Sequence, residues 1–381
     1  MSMLSSKGMG LECRKVETSK DKKLFINMPW MIYKYDSTWV PPLKMALSDM
    51  LNPKHPFYET GTVQCFLAFK DRDVVGRIMA INPRAYNDYH QSQAGFFGFF
   101  ESTNDQEVAD LLLQTAEDWI KEQGLNEIQG PFNLSSNYES GLLVKGFDDP
   151  PQIMMTYNPK YYPSFFDKRD YKKAMDLLAY NVSYPVTMPE IILKIVDRAE
   201  KKSRITYRYF NKKDFDQEIK RMFEIYNDAW EKNWGFVPMT EKEFKHTAKD
   251  LKMILNEKLV LFVEVDGETA GFIVGLPDLH QVFKKIPTGS LLPTGIFKIL
   301  NFKKHITRMR VPTMGVKQKY RRLGLETLLY RKCQQEAEKT GMFTHCEASW
   351  ILEDNINMNR PLQRMGFEAY KTYRIYQKSL S

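Results

Sequence analysis

A chain of 381 residues exceeds the roughly 100 to 200 usual for one domain, and 43% hydrophobic with 13% aromatic residues exclude a disordered chain. The formal charge of +8, from 55 Lys and Arg against 47 Asp and Glu, is spread along the sequence, so it suits an anionic small molecule or a membrane surface. No zinc spacing or compact basic arm is present, which argues against nucleic acid, and the four scattered cysteines suggest neither a disulfide framework nor a metal site.

In chain order, residues 11–17 read as a short strand and 20–36 as one or two helical segments with Phe25, Met28 and Ile32 on one side. A Pro-marked aromatic loop follows, then a short helix. Segments 64–70 and 74–81 form a hairpin about Asp71 to Asp73, and 94–102 is a third apolar strand. Asn104 or Asp105 caps a helix whose stripe is Val108, Leu111, Leu112, Ala116 and Trp119, ending at Gly124. Residues 127–133 read as a strand, followed by a polar, Pro-rich segment, a short helix near 162–170 and a strand at 172–180.

Residues 181–204 form a connector with an amphipathic helix, between an expected N-terminal domain 1–180 and a C-terminal domain 205–381. The second half has a strand at 205–210, helices at 213–232 and 240–254, and a hairpin turning at Asp266-Gly267. Asp71 aligns with Asp266, Gly76 with Gly271 and Tyr180 with Tyr376 at an offset of about 195, which suggests an internal duplication. A basic and apolar insertion at 281–306 holds Leu291, Leu292, Ile296, Phe297, Ile299, Leu300 and Phe302 among Lys284, Lys285, Lys298, Lys303 and Lys304; it suits a membrane interface or a lid.

The most informative stretch is Val311 to Leu329. Alternating apolar residues run into a basic, Gly-containing turn and then into leucines at helical spacing, giving strand, loop and helix N-terminus. The free N–H groups of such a turn face outward with the positive end of the helix dipole and can hold a pyrophosphate, with Lys317, Lys319, Arg321 and Arg322 around it.

This turn resembles the acyl-CoA signature of the GNAT acyltransferases, with Arg321 at the Arg/Gln position and Gly324 at the first glycine, although Glu326 replaces the final small residue. Asn355 with Gly366 and Phe367 matches the family's second motif, while Leu362 stands at its usual tyrosine. Segments 29–43, 95–102, 130–163 and 311–325 resemble a bacterial tandem-GNAT group that includes ceramide synthases and is related in plan to N-acyl amino acid synthases and N-myristoyltransferase.

The resemblance implies an α/β (α+β) fold of two GNAT-like mixed-sheet domains and an enzyme transferring an acyl group from acyl-CoA, or from acyl carrier protein, to an amine, with no metal. A long-chain donor and a sphingoid or other amino-lipid acceptor are expected. A short-chain acetyltransferase on a small amine, or a non-catalytic pair binding acyl-CoA or membrane, stays open. Met314, Gly315, Val316, Lys317, Lys319, Arg321, Arg322, Leu323, Gly324 and Asn355 are the expected cofactor contacts, a backbone N–H near Met314 to Val316 meeting the thioester oxygen. Glu139 or Glu347 is the candidate base, Tyr373 a candidate acid, and Asn133, Asn137, Tyr157 and Asn158 candidate acceptor contacts. No targeting segment and no run of about 18 apolar residues is seen, so a cytoplasmic protein is expected, with contact to the inner face of the membrane through 281–306 open.

Overall fold

The structure is a computed structural model describing residues 10–202 and 204–380. The N-terminal stretch read for a targeting segment and Ser203 of the connector therefore lie outside the described residues in residues 1–9 and at 203. The strands are β1 (Leu11–Lys15), β2 (Thr62–Lys70), β3 (Asp73–Asn82), β4 (Ala94–Ser102), β5 (Glu127–Gly130), β6 (Leu142–Lys145), β7 (Lys172–Ser183), β8 (Ile205–Tyr209), β9 (Val260–Val265), β10 (Glu268–Pro277), β11 (Arg308–Val316), β12 (His345–Leu352) and β13 (Glu368–Ser379).

The chain divides into two compact units that are not contiguous in sequence. Of the described residues, unit 1 holds those up to 142, 158–174 and those from 375 on; unit 2 holds 143–157 and those between 175 and 374.

In unit 1 the sheet runs β1-β2-β3-β4-β5, antiparallel except for the parallel β4–β5 pair, and Tyr376 to Ser379 of β13 complete it against β5. The helix Gln106–Glu122 covers one face. Its core residues are Val108, Ala109, Leu112, Leu113, Ala116 and Ile120, packed among Phe66, Ile78, Phe97 and Phe100. The apolar stripe is thus rotated from the expected one: Leu111 and Trp119 are only half-buried, and Leu113 and Ile120 take their place. Asp105 caps this helix by accepting from the Glu107 N–H at 3.0 Å.

Parallel pairing of β4 with β5 is registered from Ala94↔Glu127 to Phe96↔Gln129, shorter than the strand expected at 127–133. Beyond it the chain folds back into the gap. Phe132 N–H donates to the Phe97 carbonyl at 2.8 Å, and Asn133 Oδ1 accepts from the Phe99 N–H at 2.9 Å. A Cβ on Gly98 would stand 1.8 Å from the Phe132 carbonyl oxygen, so only glycine admits this approach.

In unit 2 the sheet order is β7-β12-β11-β10-β9-β8, with β11–β12 parallel and the other registered pairs antiparallel. Its strand beside β12 is β7, through Leu177 to Ser183. The helix Leu325–Lys339 buries Leu325, Leu328, Leu329, Cys333 and Ala337, and the helix Phe215–Trp230 buries Ile219, Met222, Ile225 and Ala229. A helix at Arg84–His90, not anticipated from sequence, joins β3 to β4 in unit 1. Among the described residues no helix is long and apolar enough to cross a membrane.

Gly98→Ala is expected to lower the unfolding free energy by on the order of 3 kcal/mol in urea titration, because the new methyl meets backbone rather than a movable side chain. A change within the error of the titration contradicts the closure of this gap.

Candidate active site

The site in unit 2 begins with an irregularity in β11. Against β10, Pro277 pairs with Met309 and Leu276 with Arg310, but Val274 pairs with Thr313, so β11 carries one extra residue at Val311-Pro312. Proline is tolerated there because a bulge needs no ladder N–H. Against β12, pairing runs from Arg308↔His345 to Val311↔Ala348, and no later pair is registered although both strands continue. The strands splay.

Lys317 N–H bonds the Ala270 carbonyl at 2.9 Å, which makes 317, 315 and 313 the positions bonded to β10 and turns the N–H groups of Met314 and Val316 away from it. The Met314 carbonyl accepts from Trp230 Nε1 at 3.3 Å. Gly315, an expected cofactor contact, lies against the helix Phe215–Trp230 on its side-chain face. Here its missing Cβ would lie 3.2 Å from Ala229 Cβ and 3.4 Å from Ile225 Cγ2, so it admits the helix Phe215–Trp230.

The turn follows. Residues 318–320 make one 3-10 turn, Arg322 has φ 78° and Gly324 φ 75°, and the helix Leu325–Lys339 opens without a side-chain cap. The N–H groups of Leu325, Glu326 and Thr327 therefore have no intrahelical acceptor. Lys317 and Lys319 reach Glu268 at 3.3 and 2.6 Å, and Tyr320 Oη donates to it at 2.8 Å. The Lys319 and Tyr320 hydrogen bonds hold the exposed Glu268 carboxyl down at about 2. Arg321 donates to the Ala229 carbonyl, while Arg322 is exposed with no partner among the described residues. Burial raises the Glu326 pKa, opposed by a bond to its own N–H and by Arg321, so this carboxyl sits on one of the donors a phosphate would use.

At the apex of the splay lies a buried polar cluster. Arg310, 2% exposed, donates Nε to Ser349 Oγ at 2.8 Å, its other nitrogens to the carbonyls of Ile153 (2.8 Å) and Ser349 (3.0 Å), and stands 3.6 Å from Glu347. Glu347, fully buried, accepts from the Ser349 and Tyr370 hydroxyls. Residues 149–153 are pinned over this point. Asp149 takes both Arg308 nitrogens at 2.8 and 3.1 Å and Lys371 at 3.1 Å; His280 Nδ1 bonds the Pro151 carbonyl at 2.9 Å; Asp278 Oδ1 accepts from the Ile153 and His280 N–H groups at 2.8 and 3.1 Å. Burial pushes the Asp278 carboxyl up to about 7 and the His280 imidazole down to about 4.

Tyr373 is fully buried and its hydroxyl has no partner among the described residues; the same holds for Trp350 Nε1 and Thr313 Oγ1. The Tyr373 and Trp350 rings meet edge to face at 5.9 Å. Burial, reinforced by Glu347, holds the Tyr373 pKa well above 10, so the hydroxyl keeps its proton.

Glu347 and Tyr373 thus share unit 2 with the turn and with Tyr157, whereas Asn133, Asn137, Glu139 and Asn158 belong to unit 1. Asn133 closes the gap beside β4 and gives its Nδ2 to Glu139 at 3.4 Å. Asn158 is buried, with Nδ2 on the Pro159 carbonyl at 3.1 Å. Asn355 caps the helix Ile356–Arg364 by accepting from the Met358 N–H at 3.2 Å, and Leu362 is fully buried. Sequence reasoning missed Arg310, Ser349, Trp350, Tyr370, Asp278 and the Asp149 clamp. The available signal was Arg308 and Arg310 alternating with apolar residues in a strand.

A strand pair splayed at a bulge, followed by an open helix N-terminus, defines a GNAT acyltransferase, and the chain belongs to that family. Residues 219–367 match the acetyltransferase (GNAT) family model. The chain is 38% identical to a bacterial ceramide synthase of Caulobacter vibrioides, with 96% of each chain covered, and 35% identical to Protein YghO of Escherichia coli, with 99% of this chain and 97% of that one covered. Its fold is that of a tandem GNAT protein from the clavulanic acid biosynthesis pathway (TM-score 0.59, 10% identity, 97% and 98% covered) and of a GCN5-related N-acetyltransferase from Sphaerobacter thermophilus (0.53, 12%, 97% and 95%).

Arg310→Met leaves the Glu347 carboxylate buried without its cation and is expected to cost about 3 to 5 kcal/mol of stability in urea unfolding; a neutral result contradicts an ionic apex. A folded Asp278 holds its proton to about pH 7 and an unfolded one to about 4, so its contribution to stability is full below pH 4 and is lost as the pH rises to 7. Asp278→Asn keeps an oxygen for both N–H groups but does not titrate. The variant should gain steadily on the wild type across that window in urea titrations, and a pH-independent difference contradicts this.

Proposed function

We propose that this acyltransferase moves a long-chain acyl group from acyl-CoA to the primary amine of a sphingoid base or similar amino lipid. The near full-length match to a relative named bacterial ceramide synthase carries the substrate class. A lipid acceptor in turn suits an enzyme at the inner face of the membrane, with residues 281–306 as the contact.

In this reading the amine nitrogen attacks the thioester carbonyl carbon, the carbon–sulfur bond breaks, and the amide forms as the CoA thiolate leaves and the amine loses a proton. The Met314 or Val316 N–H polarises the thioester oxygen, since both face away from β10 at the splay. The turn N–H groups and Arg322 hold the pyrophosphate, with Lys317, Lys319 and Arg321 shaping the loop through Glu268 and Ala229. Tyr373, protonated and without a partner among the described residues, donates to the developing negative charge. Glu347 is enclosed by Ser349, Tyr370 and Arg310, so it acts as a positioning residue, and the amine proton leaves to solvent.

Incubation with palmitoyl-CoA and 3-oxosphinganine is expected to give an N-acylated product by mass spectrometry. Arg321→Glu should lower kcat/KM by roughly 100-fold or more with the fold intact by circular dichroism. Turnover with acetyl-CoA alone, or acyl-CoA binding without turnover on any amine, contradicts the proposal. Glu326→Ala, which frees the helix N–H groups, should lower the KM for acyl-CoA without lowering kcat. Glu347→Gln should lower stability in urea unfolding, and a stability equal to that of the wild type contradicts its positioning role.

A further inference from the structure

From Leu279 to Leu325 the chain contains no Asp or Glu but seven Lys and four Arg. The part between β10 and β11 is tied at its base, where Asp278 N–H donates to the Arg308 carbonyl at 2.9 Å and Gln281 Oε1 accepts from the Thr307 N–H at 2.8 Å. Ile286 and Ile299 anchor it inward, both about 3% exposed. Three large apolar side chains point out instead: Leu292 is 78% exposed, Phe297 64% and Leu300 63%. Phe297 and Leu300 lie one turn apart on the helix Gly295–Leu300, hence on one face. Lys284, Lys303 and Lys304 are exposed and have no acidic partner among the described residues.

Exposed phenylalanine and leucine beside unpaired lysines are costly in water and match the interface of a negatively charged bilayer, where the apolar groups enter the acyl boundary and the ammonium groups stay among headgroup phosphates. A second copy would set the same positive charge against itself. The position also fits. The insertion joins the Arg308 end of β11, nine residues at roughly 3.3 Å each from the turn at the Val316 end.

We infer that Leu292, Phe297 and Leu300, with the lysines around them, dock unit 2 on an anionic lipid bilayer, at the end of β11 toward which an acyl donor seated on the turn would extend. The inference rests on the amino-lipid reading only for its purpose and is tested separately from it.

The test is flotation of the purified chain with vesicles of phosphatidylcholine alone and of phosphatidylcholine mixed with phosphatidylglycerol, at low and high salt. Acyl transfer in detergent micelles and the melting temperature are measured in parallel. Flotation is expected only with the anionic vesicles, to fall at high salt, and to weaken about ten-fold or more in the double substitution Phe297→Asp, Leu300→Asp, with micellar activity and melting temperature unchanged. No flotation of the wild type, equal flotation with neutral vesicles, or a self-association that the double substitution abolishes without any vesicle binding each overturns the inference. Absence of acyl transfer in micelles with flotation intact overturns the amino-lipid reading instead.

Discussion

The rest of unit 2 depends on one interruption of backbone pairing, the end of the β11–β12 ladder at Val311↔Ala348. Parallel strands that part leave N–H and C=O groups facing a gap, and buried backbone groups without partners are costly. The chain sustains the gap by wedging its apex. Arg310 bonds carbonyls on β12 and on the 149–155 segment, and its charge is balanced by Glu347. Met314 and Val316 then keep N–H groups that are not spent on β10, which is what a thioester oxygen requires.

Unit 1 shows the same plan with the gap filled. Its parallel pair also stops early, yet Phe132 and Asn133 enter, and the Phe99 N–H, which a ligand would need, goes to the Asn133 amide. The strand then reaches its helix through Thr103 to Asp105, and the Asp105 carboxylate takes the Glu107 N–H; in unit 2 the helix follows a basic turn, and Glu326 takes only its own N–H. A carboxylate at that place repels phosphate. The two copies therefore differ in chemistry at one shared position of the fold: one holds its own backbone there, and the other keeps the Met314 and Val316 N–H groups off β10 beside a basic turn.

Much of this was legible from local sequence. The Asp266-Gly267 hairpin, the long helix after β4 and the strand-turn-helix at 311–329 follow from turn residues and periodicity, which are local in the chain. What escaped was non-local. The 130–163 segment reads as one loop, but its residues divide between the units because Asp149, Pro151 and Ile153 find partners at Arg308, His280 and Asp278. The last strands of the halves, Leu177–Ser183 and Tyr376–Ser379, likewise complete sheets that their neighbours in sequence do not build. Residue type alone gave Glu347 and Asn355 possible chemical roles; burial shows that one is enclosed in an ionic cluster and the other caps a helix.

The most direct measurement of the central claim, that donors for an acyl-CoA are free in one copy and spent in the other, is amide hydrogen exchange with and without a saturating, non-transferable palmitoyl-CoA analogue. Slower exchange over 314–328, with no change over 97–108, is the result the structure predicts. Protection over 97–108, or none over 314–328, would contradict it.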